Sequence, residues 1–358
     1  MNEMLTEKKQ TRVYYLDFLR ILAAVAVIMI HVSAQNWETV DIRSFEWQVF
    51  AAYNTAVSWP VNMFVMLSGV LFLDNDRPLN IKKLYTNHIF RLVTAFVFWS
   101  GVYAADLLIA GFPLQYVWNV FLQGHFHQWY LFMAAGYYVV TPVFRKITES
   151  KRITEYFLIV TFVYIFLIPS ALSFLRYFKL PATDLLTEAL SSYRTASNFG
   201  FSGIFVFYFV YGFYLFRYDT PAGVRRVMPI LALLGYLGRV LLCNMYVQST
   251  GDGSIPFDFC VLDLPVGTEI FLFAKYTMSK IRLSERAGKI VVGISACTFG
   301  MYLSHVMVMY KLQLWMGLTT LSCHPILAVP LVTAVVAAGA FAVSWLLHQV
   351  PVLKKYVV

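Results

Sequence analysis

The chain of 358 residues is poor in charge: Asp, Glu, Lys and Arg make up 13% of it, about half the share of an ordinary soluble domain. It has only four cysteines, Cys243, Cys260, Cys297 and Cys323, and none stands in C-x-x-C spacing. That removes the zinc and dithiol-redox readings and leaves the cysteines as packing residues. No Gly-x-x-x-x-Gly-Lys loop, Gly-x-Ser-x-Gly elbow or His-Glu-x-x-His pair occurs, so ATPase, serine-hydrolase and zinc-protease chemistry lack their signatures. No metal is expected. Neither an internal repeat, a low-complexity tract nor an appended soluble domain interrupts the chain, and residues 1–358 read as one domain.

What is abundant is apolar surface. Hydrophobic residues reach 59%, and the mean hydropathy is +0.65. Windows without sustained charge, bounded by polar or Pro/Gly clusters, fall at about 15–36, 50–73, 84–111, 128–145, 154–175, 199–217, 225–248, 258–279, 290–316 and 325–350. Most approach the roughly 20 residues that span a bilayer as a helix. The expected fold is therefore all-α, a polytopic membrane protein of about ten transmembrane helices. The window at 128–145 is short and ends near Pro142, and the uncharged aromatic stretch 112–127 before it reads as partly re-entrant or interfacial.

A net charge of +9 would suggest nucleic acid in a soluble protein, but here the cations follow topology. Alternating loops on the N-terminal side of the membrane hold 19 of the 28 Lys and Arg, whereas the opposite loops hold only Arg43, Arg176, Lys179 and Arg194. Because short cytoplasmic loops carry the excess of cations, both termini are expected to be cytoplasmic. No nucleic-acid partner is implied. The long opposite connection at 176–198 is a plausible lid on the acceptor side. The N-terminus imitates a secretory signal, yet Asp17 and Arg20 inside its apolar run are too costly for a disposable segment.

Chemistry concentrates on the first helix. Eleven residues at 100° each bring Arg20 and His31 within about 20° of the same face, roughly 16 Å apart along the axis. Asp17, three residues before Arg20, is placed to pair with it and orient it. Intramembrane ionisable groups default to function, although Arg20 could instead snorkel and His31 bond a neighbouring helix.

The stretch "YLDFLRILAAVAVIMIH" resembles the opening of the acyltransferase 3 family, in which an arginine and a histidine separated by ten residues mark the first membrane helix. Similar stretches follow in order at 63–72, 127–146, 207–216 and 297–310. The resemblance implies transfer of an acyl group, commonly acetyl, from acetyl-CoA or another acyl-CoA to a hydroxyl of a cell-envelope glycan or its lipid-linked precursor. It also implies a multi-pass location in the bacterial cytoplasmic (inner) membrane, among membrane lipids, with no bound cofactor. It makes His31 the catalytic residue, as general base or as acyl carrier, with Arg20 binding donor phosphate or orienting the acyl carbonyl.

The family's arginine pair before the third helix falls on "KKLYTNHIFR", with His88 in the first place and Arg91 in the second. Lys82, Lys83, His88 and Arg91 could form a cationic mouth for the donor, or an ordinary positive-inside cluster. His305, in "YLSH", fits a family pattern or an interhelical hydrogen bond. His127 and Trp129 fit an acceptor-side role or an interfacial belt. Trp37, Trp47, Trp118 and Trp129 could stack on sugars or anchor at the interface.

Arg239, Asp263 and Glu269 are expected to pair across the seventh and eighth helices. Asp106 has no evident partner, and His324 and His348 read as loop and helix-end residues. The competing function is a secondary transporter or flippase for a glycan or small polar substrate, using His31, Glu269 and Arg239. It would favour two similar halves, which the sequence does not show.

Overall fold

The computed structural model describes residues 12–178, 204–251 and 261–358, together with 188, 189, 192 and 253. Most of the lid expected over 176–198 lies outside these residues, as does Cys260. Helices dominate, and no strand occurs among the described residues. They are α1 (Tyr14–Ser33), α2 (Phe45–Ala56), α3 (Pro60–Phe72), α4 (Phe90–Ile109), α5 (Leu114–Gln123), α6 (Trp129–Thr148), α7 (Lys151–Phe162), α8 (Ile168–Phe178) and α9 (Ile204–Arg217). Then follow α10 (Ala222–Thr250), α11 (Asp263–Tyr276), α12 (Glu285–Met316), α13 (Pro325–His348) and α14 (Pro351–Tyr356).

Seven helical stretches are long and apolar enough to cross a membrane: 14–33, 45–72, 81–109, 151–175, 222–250, 285–316 and 325–348. The other three expected windows coincide with α6, α9 and α11. α9 and α11 are 14 residues each, about 21 Å of helix against a hydrocarbon core of about 30 Å. The protein is thus a multi-pass membrane protein. Its outward faces are lipid-like, as on α10, where Ile230, Leu233, Leu234, Leu237 and Leu241 are all exposed.

Local chemistry places the breaks. Ser44 caps α2 by accepting from the Trp47 amide, and Pro60 opens α3 at a position where its missing N–H costs nothing. A π-helical stretch, Leu84–Ile89, precedes α4; such wide turns shift the helical register by a residue. Gly111 and Gly124, both at φ +81°, bracket α5, which folds back against α4.

α1 is the hub, packing against α2, α3, α11, α12 and α13. Its small buried residues Ala23, Ala24 and Ala26 let backbones approach closely. α3 and α9 meet still more tightly. A Cβ on Gly69 would lie 1.8 Å from the Phe209 carbonyl oxygen, and one on Gly212 would lie 2.3 Å from that of Met66.

Every cation expected within a span finds a partner, as desolvated charge requires. Arg20 meets Asp17 and Ser295, Arg91 donates to the Val358 carbonyl, and Lys275 donates to the carbonyls of Leu215, Phe216 and Tyr218 at the end of α9. Lys311 pairs with Asp106, which corrects the reading of Asp106 as partnerless: the two lie on α12 and α4, too far apart in sequence for spacing to connect them. Arg239 pairs with Asp263 across α10 and α11, and Asp263 also accepts from Ser58 at 2.8 Å. Glu269 is no part of this pair.

Replacing Asp263 with Leu leaves Arg239 buried without an anion, which costs about 3–5 kcal/mol. The unfolding temperature of the purified protein should fall sharply, and Arg239→Met added to Asp263→Leu should recover much of the loss. A double variant no better than the single one would show that the pair does not act as a unit.

Candidate active site

Opposite the stripe of α1 stands a matching stripe on α12. Ser295, Thr298, Tyr302 and His305 recur at three- and four-residue steps, which share one face of a helix, and all four are buried. The two helices run parallel, so that Ser295 meets Arg20 and His305 meets His31. Arg20 donates to the Ser295 hydroxyl at 3.2 Å, and the rings of His31 and His305 lie 5.0 Å apart between centroids.

The lower end of this pair is organised by Asp17, 3% exposed. Its carboxylate accepts from Arg12 Nε and a terminal nitrogen, both at 2.8 Å, and from the Ser295 hydroxyl at 2.7 Å. It stands 3.5 Å from Arg20. The hydrogen bond to Asp17 raises the pKa of Arg12 above its ordinary value. Two of these contacts come from α1's own N-terminal approach and one from α12, so Asp17 locks the helices together while orienting Arg20.

Arg20 opens onto a cavity of about 220 Å3, lined also by His88, Arg91, Ser68, Tyr130, Tyr138 and Tyr302. The π-helical turn carries His88 against Phe72 and Tyr138, at ring separations of 5.1 and 6.2 Å. Arg91 lies 5.2 Å over the Phe299 ring. Of the expected cationic mouth, His88 and Arg91 join Arg20, whereas Lys82 and Lys83 are exposed and do not line the cavity.

At the other end is a cluster of four histidines, His31, His125, His127 and His305. His127 and His305 have ring centroids 5.3 Å apart, and Phe126 packs on His31 at 5.3 Å. A carbonyl only accepts, so the nitrogens facing carbonyls carry protons. His305 Nδ1 therefore donates to the Tyr302 carbonyl at 2.6 Å, leaving Nε2 as a lone pair that is buried and unpartnered. His127 Nε2 likewise donates to the Leu303 carbonyl at 3.3 Å. With His127 neutral, its Nδ1 accepts from His125 Nδ1, 3.1 Å away. His31 forms no hydrogen bond among the described residues.

Tyr302 belongs to both halves. It lines the Arg20 cavity, donates to the His127 carbonyl and stands 5.6 Å from Tyr130 between ring centroids. Tyr302 also packs on His127 and His305, at 5.8 and 6.0 Å between ring centroids, so it stands between the cationic cavity and the histidines with Tyr130 beside it on the cavity side. Trp129 is half exposed and packs on Phe205 at 5.6 Å, outside the cluster. His125, Ser295, Tyr130 and Tyr302 are not among the residues expected from the sequence; the His-x-His spacing of 125 and 127, the tyrosine of "YLSH" and the family-like stretch holding Tyr130 are the signals that point to three of them.

A family model for the acyltransferase 3 domain, an acyltransferase domain, matches residues 13–349. The chain belongs to the acyltransferase 3 family. It is accordingly a membrane acyltransferase. No curated protein and no solved structure matches it. The transporter reading gains no support, since Arg239 is engaged by Asp263. Among the described residues no cluster of His, Cys, Asp and Glu could hold a metal.

Asp17→Asn and Ser295→Ala each loosen Arg20, and acyl transfer should fall roughly tenfold, the scale of one charge-assisted hydrogen bond. In an Arg20→Ala background each should cost less, because part of its effect passes through that guanidinium. Fully additive losses in kcat/KM would contradict this coupling.

Proposed function

We propose that this acyltransferase moves an acyl group, acetyl by family resemblance, from a cytoplasmic acyl-CoA to a hydroxyl of a cell-surface polysaccharide or lipid-linked glycan. The setting would be the bacterial inner membrane, with both termini cytoplasmic and ten crossings, α6, α9 and α11 completing the seven longer spans. The observation that carries the reading is the division of one site into two chemistries: a cavity bearing Arg20, His88 and Arg91, and a histidine cluster behind Tyr130 and Tyr302.

In this scheme the guanidinium groups hold donor phosphate or the thioester carbonyl; their fixed fork suits such oxygens and keeps its charge. His31 takes the proton of the acceptor hydroxyl as the oxygen attacks the thioester carbon. The C–S bond then breaks, and the proton passes to the departing coenzyme A thiolate. The lone pair on His305 Nε2 supports this role for His31, since it offers a neighbouring imidazolium a place to donate. His31 as a transient acyl carrier uses the same groups, with attack by the imidazole preceding attack by the hydroxyl.

The direct test follows release of free coenzyme A from acetyl-CoA with a crude envelope glycan extract, using protein in nanodiscs. Release should require glycan and fall about 10²–10⁴-fold in His31→Ala, the range of a general base. Equal release from wild type and His31→Ala, or none from either by a folded sample, would refute the proposal.

A further inference from the structure

A second cavity, of about 270 Å3, lies apart from the active site between α2 and α10. Trp47, Gln48, Thr55, Val240, Cys243 and Asn244 are among the residues that line it. Three of its polar atoms have no hydrogen-bond partner among the described residues: Trp47 Nε1, Thr55 Oγ1 and Asn244 Oδ1. Trp47 and Thr55 are 1% and 4% exposed, so Trp47 is no interfacial anchor. Buried polar groups are nearly always paired, and each exception calls for an explanation.

Thr55 makes the case clearest. Buried threonines elsewhere in this bundle, Thr141, Thr161 and Thr333, donate to the carbonyl four residues back. Thr55 also sits on a helix and does not. Its neighbour Asn54 turns the other way, donating to the Ile30 carbonyl and the Ser33 hydroxyl at the His31 end of α1. α2 thus presents one polar side chain to α1 and the next to the cavity.

The three atoms comprise an N–H donor, a hydroxyl and an amide acceptor, a set that alcohol hydroxyls satisfy because each can accept and donate. Among the described residues no charged side chain lines the cavity, so none of them balances an ion. Ala51, Ala52, Val240 and Cys243 add apolar wall suited to the C–H face of a ring. The volume is several times the roughly 30 Å3 share of one water in the liquid.

We propose that the α2–α10 cavity binds an uncharged, hydroxyl-bearing group of the sugar or polyol class. The inference does not depend on the acyl-transfer reading. The same hydroxyls can arrive on a free sugar or on the headgroup of a neutral glycolipid.

The full chain in phosphatidylcholine nanodiscs is examined by saturation-transfer NMR with methyl β-D-glucopyranoside, and by thermal unfolding in discs containing monogalactosyl diacylglycerol. Wild type and His31→Ala should give equal signals. Thr55→Val combined with Asn244→Leu should weaken binding roughly tenfold, as the loss of two hydrogen bonds implies. Ala52→Leu, which fills the cavity, should abolish binding, and it carries the comparison if the polar variant fails to fold. Glucose 6-phosphate should give no signal that the cavity variants diminish.

A stabilising shift with the glycolipid alone, lost in the cavity variants, supports a lipid-borne sugar. Signals unchanged in the cavity variants, or lost only in His31→Ala, overturn the proposal. So does the absence of any effect from either sugar, in which case the cavity holds water only.

Discussion

Asp17 is a carboxylate shut away from solvent near one end of a membrane helix, a placement that is tenable only if it is surrounded by donors. Arg12, Arg20 and Ser295 supply them, and the rest of the site follows from that arrangement. Ser295 fixes where α12 lies along α1. Once that register is set, the ten-residue step from Ser295 to His305 runs beside the eleven-residue step from Arg20 to His31, and two distant pairs close at once. A displacement of one helical turn, about 5.4 Å, would separate both. The ion cluster therefore does positional work at a place far from the histidines.

The resulting site has a cation-bearing cavity on one side, a neutral imidazole cluster on the other, and two tyrosines between them. This separation suits a reaction whose donor carries phosphates and whose acceptor does not, because each substrate meets the electrostatics that match it. Tyr302 joins the halves mechanically: its ring is part of the cavity wall, its hydroxyl holds the backbone of His127, and its carbonyl sets the tautomer of His305.

Much of this was legible in the sequence where the information is local. The helical windows were evident because lipid demands long apolar runs, and the Arg20–His31 stripe because helical periodicity is fixed. The Arg239–Asp263 pair was readable because two costly charges fell on successive spans. The facing stripe on α12 was not, since that helix also buries Met301, Leu303 and Val306, so that periodicity did not mark Ser295 or Tyr302 as special. Asp106 and Lys311 stand 205 residues apart, beyond the reach of any spacing rule. Lys82 and Lys83 are exposed at a helix start, where charge serves topology as readily as substrate binding. The α2–α10 cavity left no motif, because it is defined by hydrogen bonds that are not made.

In the proposed function donor binding and proton transfer reside in separate halves of one site, and equilibrium binding of coenzyme A tests that division most directly. Titration calorimetry on the full chain in nanodiscs should find wild type and His31→Ala equally competent. Arg20→Ala and Arg91→Ala should bind roughly 10- to 100-fold more weakly, the loss expected for a hydrogen bond to a charged group. Unchanged binding by Arg20→Ala, or its loss in His31→Ala, would contradict the division.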